Sequence, residues 1–343
     1  MLIVIPLILA AFAAMIIVLQ RMPATPVLKY HHVNQNTPDA ITISPELFEK
    51  QLSLLKKLGY RSVSPEEAFL QKKAPRRSVV LTFDDGFFDN YKFAFPLLKK
   101  HGFKATIFLT TSLIKDNIGG KVKRESFKDA ILKGDFSEFL SWKQIKEMRD
   151  SGLVDFQPHT HFHRHRFKGP VVVSKVIDPE KLDFKTLSCF DPPAKKGAEV
   201  LESGASIVTR AYDPNTLRYE TQKDYLQRID GEIGASKKII EKKLNKLCEC
   251  LAWPWGLFNG AALKAARRLG FKLCMTTIYG SNHFMTSKFR IKRFTPSGDP
   301  EKFREEIVRN SFLLSSLLID DRLYAAFSMR FIRRKLKEME QNG

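Results

Sequence analysis

A chain of 343 residues exceeds what one ordinary core needs, yet α/β barrels reach 200 to 250 residues as one domain, so one large domain with appendages is the expected organisation. Apolar residues at 43% and charged residues at 27% lie near the globular average and exclude wholesale disorder. Four cysteines, Cys189, Cys248, Cys250 and Cys274, make no disulfide framework at this size, and a formal charge of +20 favours anionic surroundings without naming a partner.

Met1 to Leu19 is a run of nineteen residues without a charge, and as a helix it would reach about 28 Å, enough for a bilayer core. No basic residue precedes it, and Gln20, Arg21, Met22 and Pro23 follow where a signal peptide would carry a small-x-small cleavage site. Residues 1–21 are therefore expected to form an uncleaved, single-pass transmembrane anchor. Arg21 and Lys29 on its C-terminal flank give a weak positive-inside vote for a cytoplasmic domain.

Beyond a short linker, apolar β-rich runs alternate with helical patterns, the signature of repeated βα units and a largely parallel sheet. Strands are expected near Val27–Tyr30, Tyr60–Val63, Val79–Phe83, Ala105–Leu109, Val154–Gln157, Leu251–Trp253, Phe271–Met275 and Phe289–Arg293. Between them, Pro45–Leu58 has Ser44 as a cap, Pro45 in the first turn, an apolar stripe of Leu47, Phe48, Leu52, Leu55 and Leu58, and Gly59 as its stop. Further helices are expected over Lys223–Leu247 and Ala261–Leu269. Two stretches, Thr111–Leu140 and the proline-containing Arg166–Gln222, break the rhythm. The second directly follows the densest histidine cluster, which suits an active-site wall or lid as well as a plain surface insertion.

The strongest local feature is Ser78-Val79-Val80-Leu81-Thr82-Phe83-Asp84-Asp85-Gly86, an apolar strand ending in adjacent carboxylates and a glycine turn. Functional residues of parallel α/β folds gather at such strand ends, and adjacent residues there point in different directions. A second strand end carries Gln157-Pro158-His159-Thr160-His161-Phe162-His163-Arg164-His165, with four of the eight histidines within seven residues. Imidazole suits borderline divalent metals, and three protein ligands with one open position make a site that can activate water. Residue chemistry alone leaves the register among His159, His161, His163 and His165 open, because i and i+4 share a face in either a helix or a strand.

With both stretches in view, the sequence resembles the polysaccharide deacetylases, the NodB-homology carbohydrate esterases. The resemblance rests on Thr82-Phe83-Asp84-Asp85-Gly86 and His159-Thr160-x-x-His163, and it extends over roughly Pro26 to Pro296 through Tyr30-His31-His32 and Trp253-Pro254-Trp255-Gly256. It implies a distorted (β/α) barrel of about seven parallel strands. It also implies Asp84 as catalytic base toward metal-activated water, Asp85, His159 and His163 as metal ligands, and Trp253, Pro254 and Trp255 along the substrate groove. A divalent cation follows as cofactor, zinc first, with cobalt, nickel, manganese or iron as alternatives. The implied reaction is removal of N-acetyl groups from a surface polysaccharide, peptidoglycan or a lipid-linked sugar. A member that binds glycan without turnover is the alternative, because the family's arginine ahead of the proline segment and its late Leu-x-x-His acid have no clear match here. His31 ranks ahead of His283 as proton donor, and Arg290 and Arg293 are read as surface or ion-pair residues.

Residues 22–300 are thus read as the catalytic domain, interrupted by an insertion at 166–222, and residues 301–343 as a basic amphipathic C-terminal helix. Within the latter, Leu313, Leu317, Leu323, Phe327 and Phe331 share helical spacing ahead of Arg333, Arg334, Lys335 and Lys337, a pattern suited to packing or to an anionic lipid surface. The expected location is the bacterial cytoplasmic membrane with the domain outside, the cytoplasmic face being the alternative. No nucleic-acid-binding motif accompanies the positive charge, so no nucleic-acid partner is expected.

Overall fold

The computed structural model describes residues 22–312 apart from 36–39, 72–76, 117–119, 123–125 and 284. The transmembrane anchor expected over 1–21 and the amphipathic run beyond Phe312 lie outside the described residues. Among the described residues, no helix is long and apolar enough to cross a membrane.

A parallel sheet of five strands organises the fold: β1 (Val27–Tyr30), β2 (Arg61–Ser62), β3 (Ser78–Phe83), β4 (Ala105–Leu109) and β5 (Val154–Pro158). β3 is central. β1 lines one edge of it, with Tyr30 opposite Phe83, while β2 and β4 share the other edge, at its start and its end respectively. β5 runs beside β4. Every residue of β3 is buried, which is why its sequence is a continuous apolar run and not an alternation.

The insertion forms a small unit of its own. Its long strands β6 (His165–Lys175) and β7 (Glu199–Ala205) pair antiparallel, and two satellite clusters pack against them, one of Phe167, Cys189, Leu201 and Tyr212 and the other of Val176, Leu187, Ala194 and Val200. Farther along, β8 (Cys250–Ala252) and β9 (Leu273–Met275) form a separate parallel pair.

The expected distorted (β/α) barrel of about seven parallel strands is found in part: the sheet is parallel, but among the described residues it does not close into a barrel. Isolated bridges join Met275 to Ile291 and Phe294 to Leu28, so the Phe289–Arg293 segment links β9 back to β1 without forming a strand. Between β5 and β8 there is no backbone ladder; side chains span the gap, with the Cys250 amide donating to Gln157 Oε1 at 3.2 Å and the His159 ring bonded to the Ala252 carbonyl at 2.9 Å. Polar side chains here satisfy backbone groups that a closed barrel would pair in a ladder.

Helices α1 (Pro45–Lys57), α2 (Gln222–Leu244), α3 (Gly260–Arg268) and α4 (Pro300–Arg309) cover the sheet. α1 starts where Ser44 Oγ accepts from the Leu47 amide, and it buries Phe48, Leu52 and Leu55, each worth about 1.5–3 kcal/mol by transfer from water. α3 is capped by Asn259, whose Oδ1 accepts from the Ala262 amide. α4 buries Phe303, Ile307 and Val308 in the main core, so the chain just past residue 300 is an integral part of the domain.

Candidate active site

Asp84 and Asp85 follow the last residue of β3, where the chain must turn sharply out of the sheet. Asp85 and Gly86 both have positive φ, 73° and 81°. Gly86 has no room for a side chain, since a Cβ there would lie 2.7 Å from Leu109 Cδ2. Asp85 is held in this conformation at a cost of order 1–2 kcal/mol, the kind of strain that collects at functional sites. Thr160 and His163 also have positive φ, 66° and 53°, and together they bend the segment after β5 back over the end of β3.

That bend sends the four histidines in different directions. His159 and His163 turn inward, each with its Nε2 3.6 Å from Asp85 Oδ1, and one donor atom from each of the three residues lies within 4.8 Å of the others. His161 turns away to meet Thr111 Oγ1 at 2.8 Å, and His165 enters β6, where its Nδ1 lies 3.2 Å from Ser203 Oγ. The Ala252 carbonyl can only accept, so His159 must carry its proton on Nδ1, leaving the Nε2 lone pair facing Asp85.

The electrostatics of this trio suit a cation. Asp85 Oδ1 is buried and accepts no hydrogen bond, and His163 Nδ1 is likewise unpaired. Burial first, and then the charge of Asp84, push the Asp85 carboxyl up to about 8. Burial lowers both His159 and His163, the latter well below the usual imidazole value. Two neutral imidazoles and one carboxyl with an orphaned oxygen form a donor set that a divalent ion of borderline character fits.

Asp84 stands in a different environment. Burial would raise its pKa, but the guanidinium of Arg293, aided by His159 and His31, holds it well below the usual carboxylate range. Arg293 grips it bidentately, Nη1 to Oδ1 at 2.7 Å and Nη2 to Oδ2 at 2.8 Å. The arginine is itself 1% exposed and fixed by Nε donating to the Thr276 carbonyl at 2.9 Å and Nη1 donating to Thr82 Oγ1 at 3.2 Å. His31 Nε2 is 3.9 Å from Asp84 Oδ2, and burial depresses the His31 ring to about 3.

The aromatic side of the site differs from expectation in part. Trp255 leans on His163 at 4.1 Å and on His165 at 4.5 Å, and Phe184 from the insertion lies 6.0 Å from His163 and 4.3 Å from Phe127, so the insertion does contribute to the wall. Pro254 is buried beneath. Trp253 must be corrected: it is 0% exposed, stacked on Phe258 in the core, and backs the groove without lining it. His283 is also displaced, because its loop pairs through Asn282 with Thr25 at the opposite end of β1.

Sequence reasoning gave Arg293 a surface or ion-pair role, of which the buried ion pair with Asp84 is the one found, and it overlooked Phe184. A signal for the arginine existed: Ile291 and Arg293 are buried while Arg290 is exposed, a period-two pattern that turns a guanidinium inward and so demands a counter-charge. Asp89, buried and 2.8 Å from His32 Nδ1, was also missed.

The polysaccharide deacetylase family model matches residues 71–274. The chain belongs to the polysaccharide deacetylase family. YxkH of Bacillus subtilis (strain 168) is 25% identical over 260 residues, covering 75% of this chain and 65% of that protein. The poly-β-1,6-N-acetyl-D-glucosamine N-deacetylase of Escherichia coli (strain K12) is 24% identical over 258 residues, 73% of this chain and 33% of that protein. The chain therefore spans from a third to just under two thirds of these relatives' length. Among solved structures, the de-N-acetylase of Aggregatibacter actinomycetemcomitans superposes with a TM-score of 0.60 over 80% of this chain and 95% of that one, at 24% identity. The Streptococcus pyogenes deacetylase PplD, solved with acetate, has a TM-score of 0.56 over 83% and 98%, at 25% identity. The parallel α/β fold is thus that of the deacetylases.

Proposed function

We propose that this protein is a metal-dependent hydrolase that removes N-acetyl groups from an N-acetylated carbohydrate. The observation that carries the reading is the convergence of His159 and His163 on the unpaired Asp85 Oδ1, beside an Asp84 held ionised by Arg293. A divalent cation held by Asp85, His159 and His163, zinc first by its donor set, would supply Lewis-acid polarisation of the amide carbonyl and of a water.

The remaining work falls to side chains. Asp84 keeps lone pairs beyond the two it gives Arg293 and so can accept the proton of the attacking water. His31, neutral in the resting site and 3.9 Å from Asp84, is suited to pass that proton to the departing amine nitrogen as the carbon–nitrogen bond breaks. Water adds its oxygen to the acetyl carbon, and the products are acetate and a free amino sugar. Trp255 and Phe184 shield one side of the reacting centre from bulk water and offer apolar faces to a sugar ring.

Relatives named for deacetylation of poly-β-1,6-N-acetyl-D-glucosamine support a polymeric substrate, with peptidoglycan and lipid-linked sugars as the alternatives. The length of the uncharged run Met1–Leu19 supports a single-pass membrane anchor; the domain is placed outside the bacterial cytoplasmic membrane on the polymeric substrate alone, against the weak vote of Arg21 and Lys29 for the cytoplasmic face. Acetate release from N-acetylhexosamine polymers and lipid-linked sugars, with and without chelator, tests the proposal. Asp84→Asn should lower the rate by about 10²–10⁴-fold with the fold intact. Metal-loaded wild type that is inert on every such substrate would favour a glycan-binding member without turnover, and an undiminished Asp84→Asn would remove that aspartate from the mechanism.

A further inference from the structure

No side-chain hydrogen bond holds the ring of His31. Its Nδ1 is buried and has no partner among the described residues, and its Nε2 is 3.9 Å from Asp84 Oδ2, beyond hydrogen-bonding distance. The direction of the ring is therefore set by the backbone that carries it. On the N-terminal side that backbone is fixed by the sheet, where the Asp84 amide donates to the Tyr30 carbonyl at 3.0 Å. On the C-terminal side the chain has left β1 and needs another support.

That support is a pair of buried polar residues, Asp89 and Asn90, 2% and 0% exposed, which follow Asp84 and Asp85 on the same strand-end loop. Asn90 Nδ2 donates to the His31 carbonyl at 2.7 Å and to Asp89 Oδ1 at 3.0 Å. Asp89 Oδ2 accepts from Asn34 Nδ2 at 2.7 Å and from His32 Nδ1 at 2.8 Å. The segment from His31 to Asn34 is thus tied to two neighbouring side chains beyond the end of β3. The His32 ring is also clamped by Phe87, stacked at 3.7 Å.

Two features set this pair apart from an ordinary turn. The chain after Asp89 opens into a π-helical turn, Asn90–Ala94, a wide and uncommon conformation that gathers at functional sites. Asn90, moreover, is satisfied on one side only. The two acceptors facing its amide fix Nδ2 toward them, so Oδ1 points away, buried and without a partner among the described residues. An orphaned buried oxygen works against stability, so the amide is explained by what its nitrogen holds.

We propose that Asp89 and Asn90 are positioning residues that hold His31 where it can protonate the departing amine. The inference rests on the proposed deacetylation with His31 as donor, and it concerns one step of that reaction. When the carbon–nitrogen bond breaks, the nitrogen keeps the electron pair and takes a proton, handed on from the attacking water through Asp84 and His31. An aryl acetate differs, because its phenolate leaves as a stable anion and takes no proton in that step. A displaced His31 therefore slows amide cleavage and leaves aryl ester cleavage alone. A shift of about 1 Å is enough to cost about 10²-fold.

The test compares an N-acetylglucosamine oligomer with p-nitrophenyl acetate on the metal-loaded full-length protein. Asn90→Ala should lower kcat on the oligomer by about 10²-fold, keep KM within about twofold, and change the ester rate by less than about twofold. Asp89→Asn, which keeps the shape of the side chain, should show the same split with a smaller loss. His31→Ala should show it in full, and adding Asn90→Ala to His31→Ala should cost nothing further, since the amide acts through the ring. Bound metal, measured after dialysis, should be the same in all of them. Equal losses on both substrates, in Asn90→Ala and Asp89→Asn alike, would overturn the proposal by reducing the pair to a structural role; so would a split in His31→Ala that neither variant shares. A His31→Ala protein with its full rate on the oligomer would instead overturn His31 as donor. A wild type inert on every N-acetylated sugar offered would overturn the deacetylation reading on which both depend.

Discussion

Replacing Arg293 by alanine should invert the pH dependence of Asp84. In the wild type, the folded-state pKa of Asp84 lies below its unfolded value, so its contribution to stability is present above about pH 4 and is lost as pH falls through the folded value. Without the guanidinium, burial dominates and the folded pKa moves above the unfolded one; the carboxyl then favours folding only in acid and opposes it as pH rises. Breaking a buried pair from one side costs about 3–5 kcal/mol, which for a domain this size is a fall in Tm of roughly 5–15 °C near neutrality, shrinking at pH 5. The acidic limb of kcat/KM should move up by one pH unit or more, since the base is protonated over a wider range, and the rate at neutrality should drop by about 10²-fold. Thermal unfolding and acetate release across pH 4–9, with Arg293→Lys as the partial rescue, check this. An Arg293→Ala protein with the wild-type pH profile would refute the idea that the arginine keeps the base ionised.

Other consequences are separable. Because the Asp85 pKa is raised to about 8, metal-free protein should lose stability as pH rises from about 4 through 8, and a bound divalent cation should remove that loss; differential scanning fluorimetry with and without chelator measures it. His163→Ala should lose at least tenfold in metal affinity while His165→Ala keeps it, as read by metal analysis after dialysis. Trp253→Ala should destabilise by about 3–5 kcal/mol through a core cavity, whereas Trp255→Ala should leave stability nearly unchanged and raise KM, as denaturant unfolding and kinetics would show.

Strand ends, helix starts and the two stretches that carry Asp85, His159 and His163 were legible in the sequence because each depends on local signals. β3 is a continuous apolar run that stops at two aspartates and a glycine, and α1 carries its cap, its proline and its stripe between Ser44 and Leu58. The tertiary structure decided what local signals cannot. The choice of His159 with His163 depended on the positive φ at Thr160 and His163, which folds the segment into neither a helix nor a strand. The partner of Asp84 comes from 209 residues away, and no local pattern reports such a distance. The gap between β5 and β8, bridged by Gln157 and His159 side chains, is equally invisible to periodicity, because ladder closure depends on how strands approach in space and not on what each strand is made of.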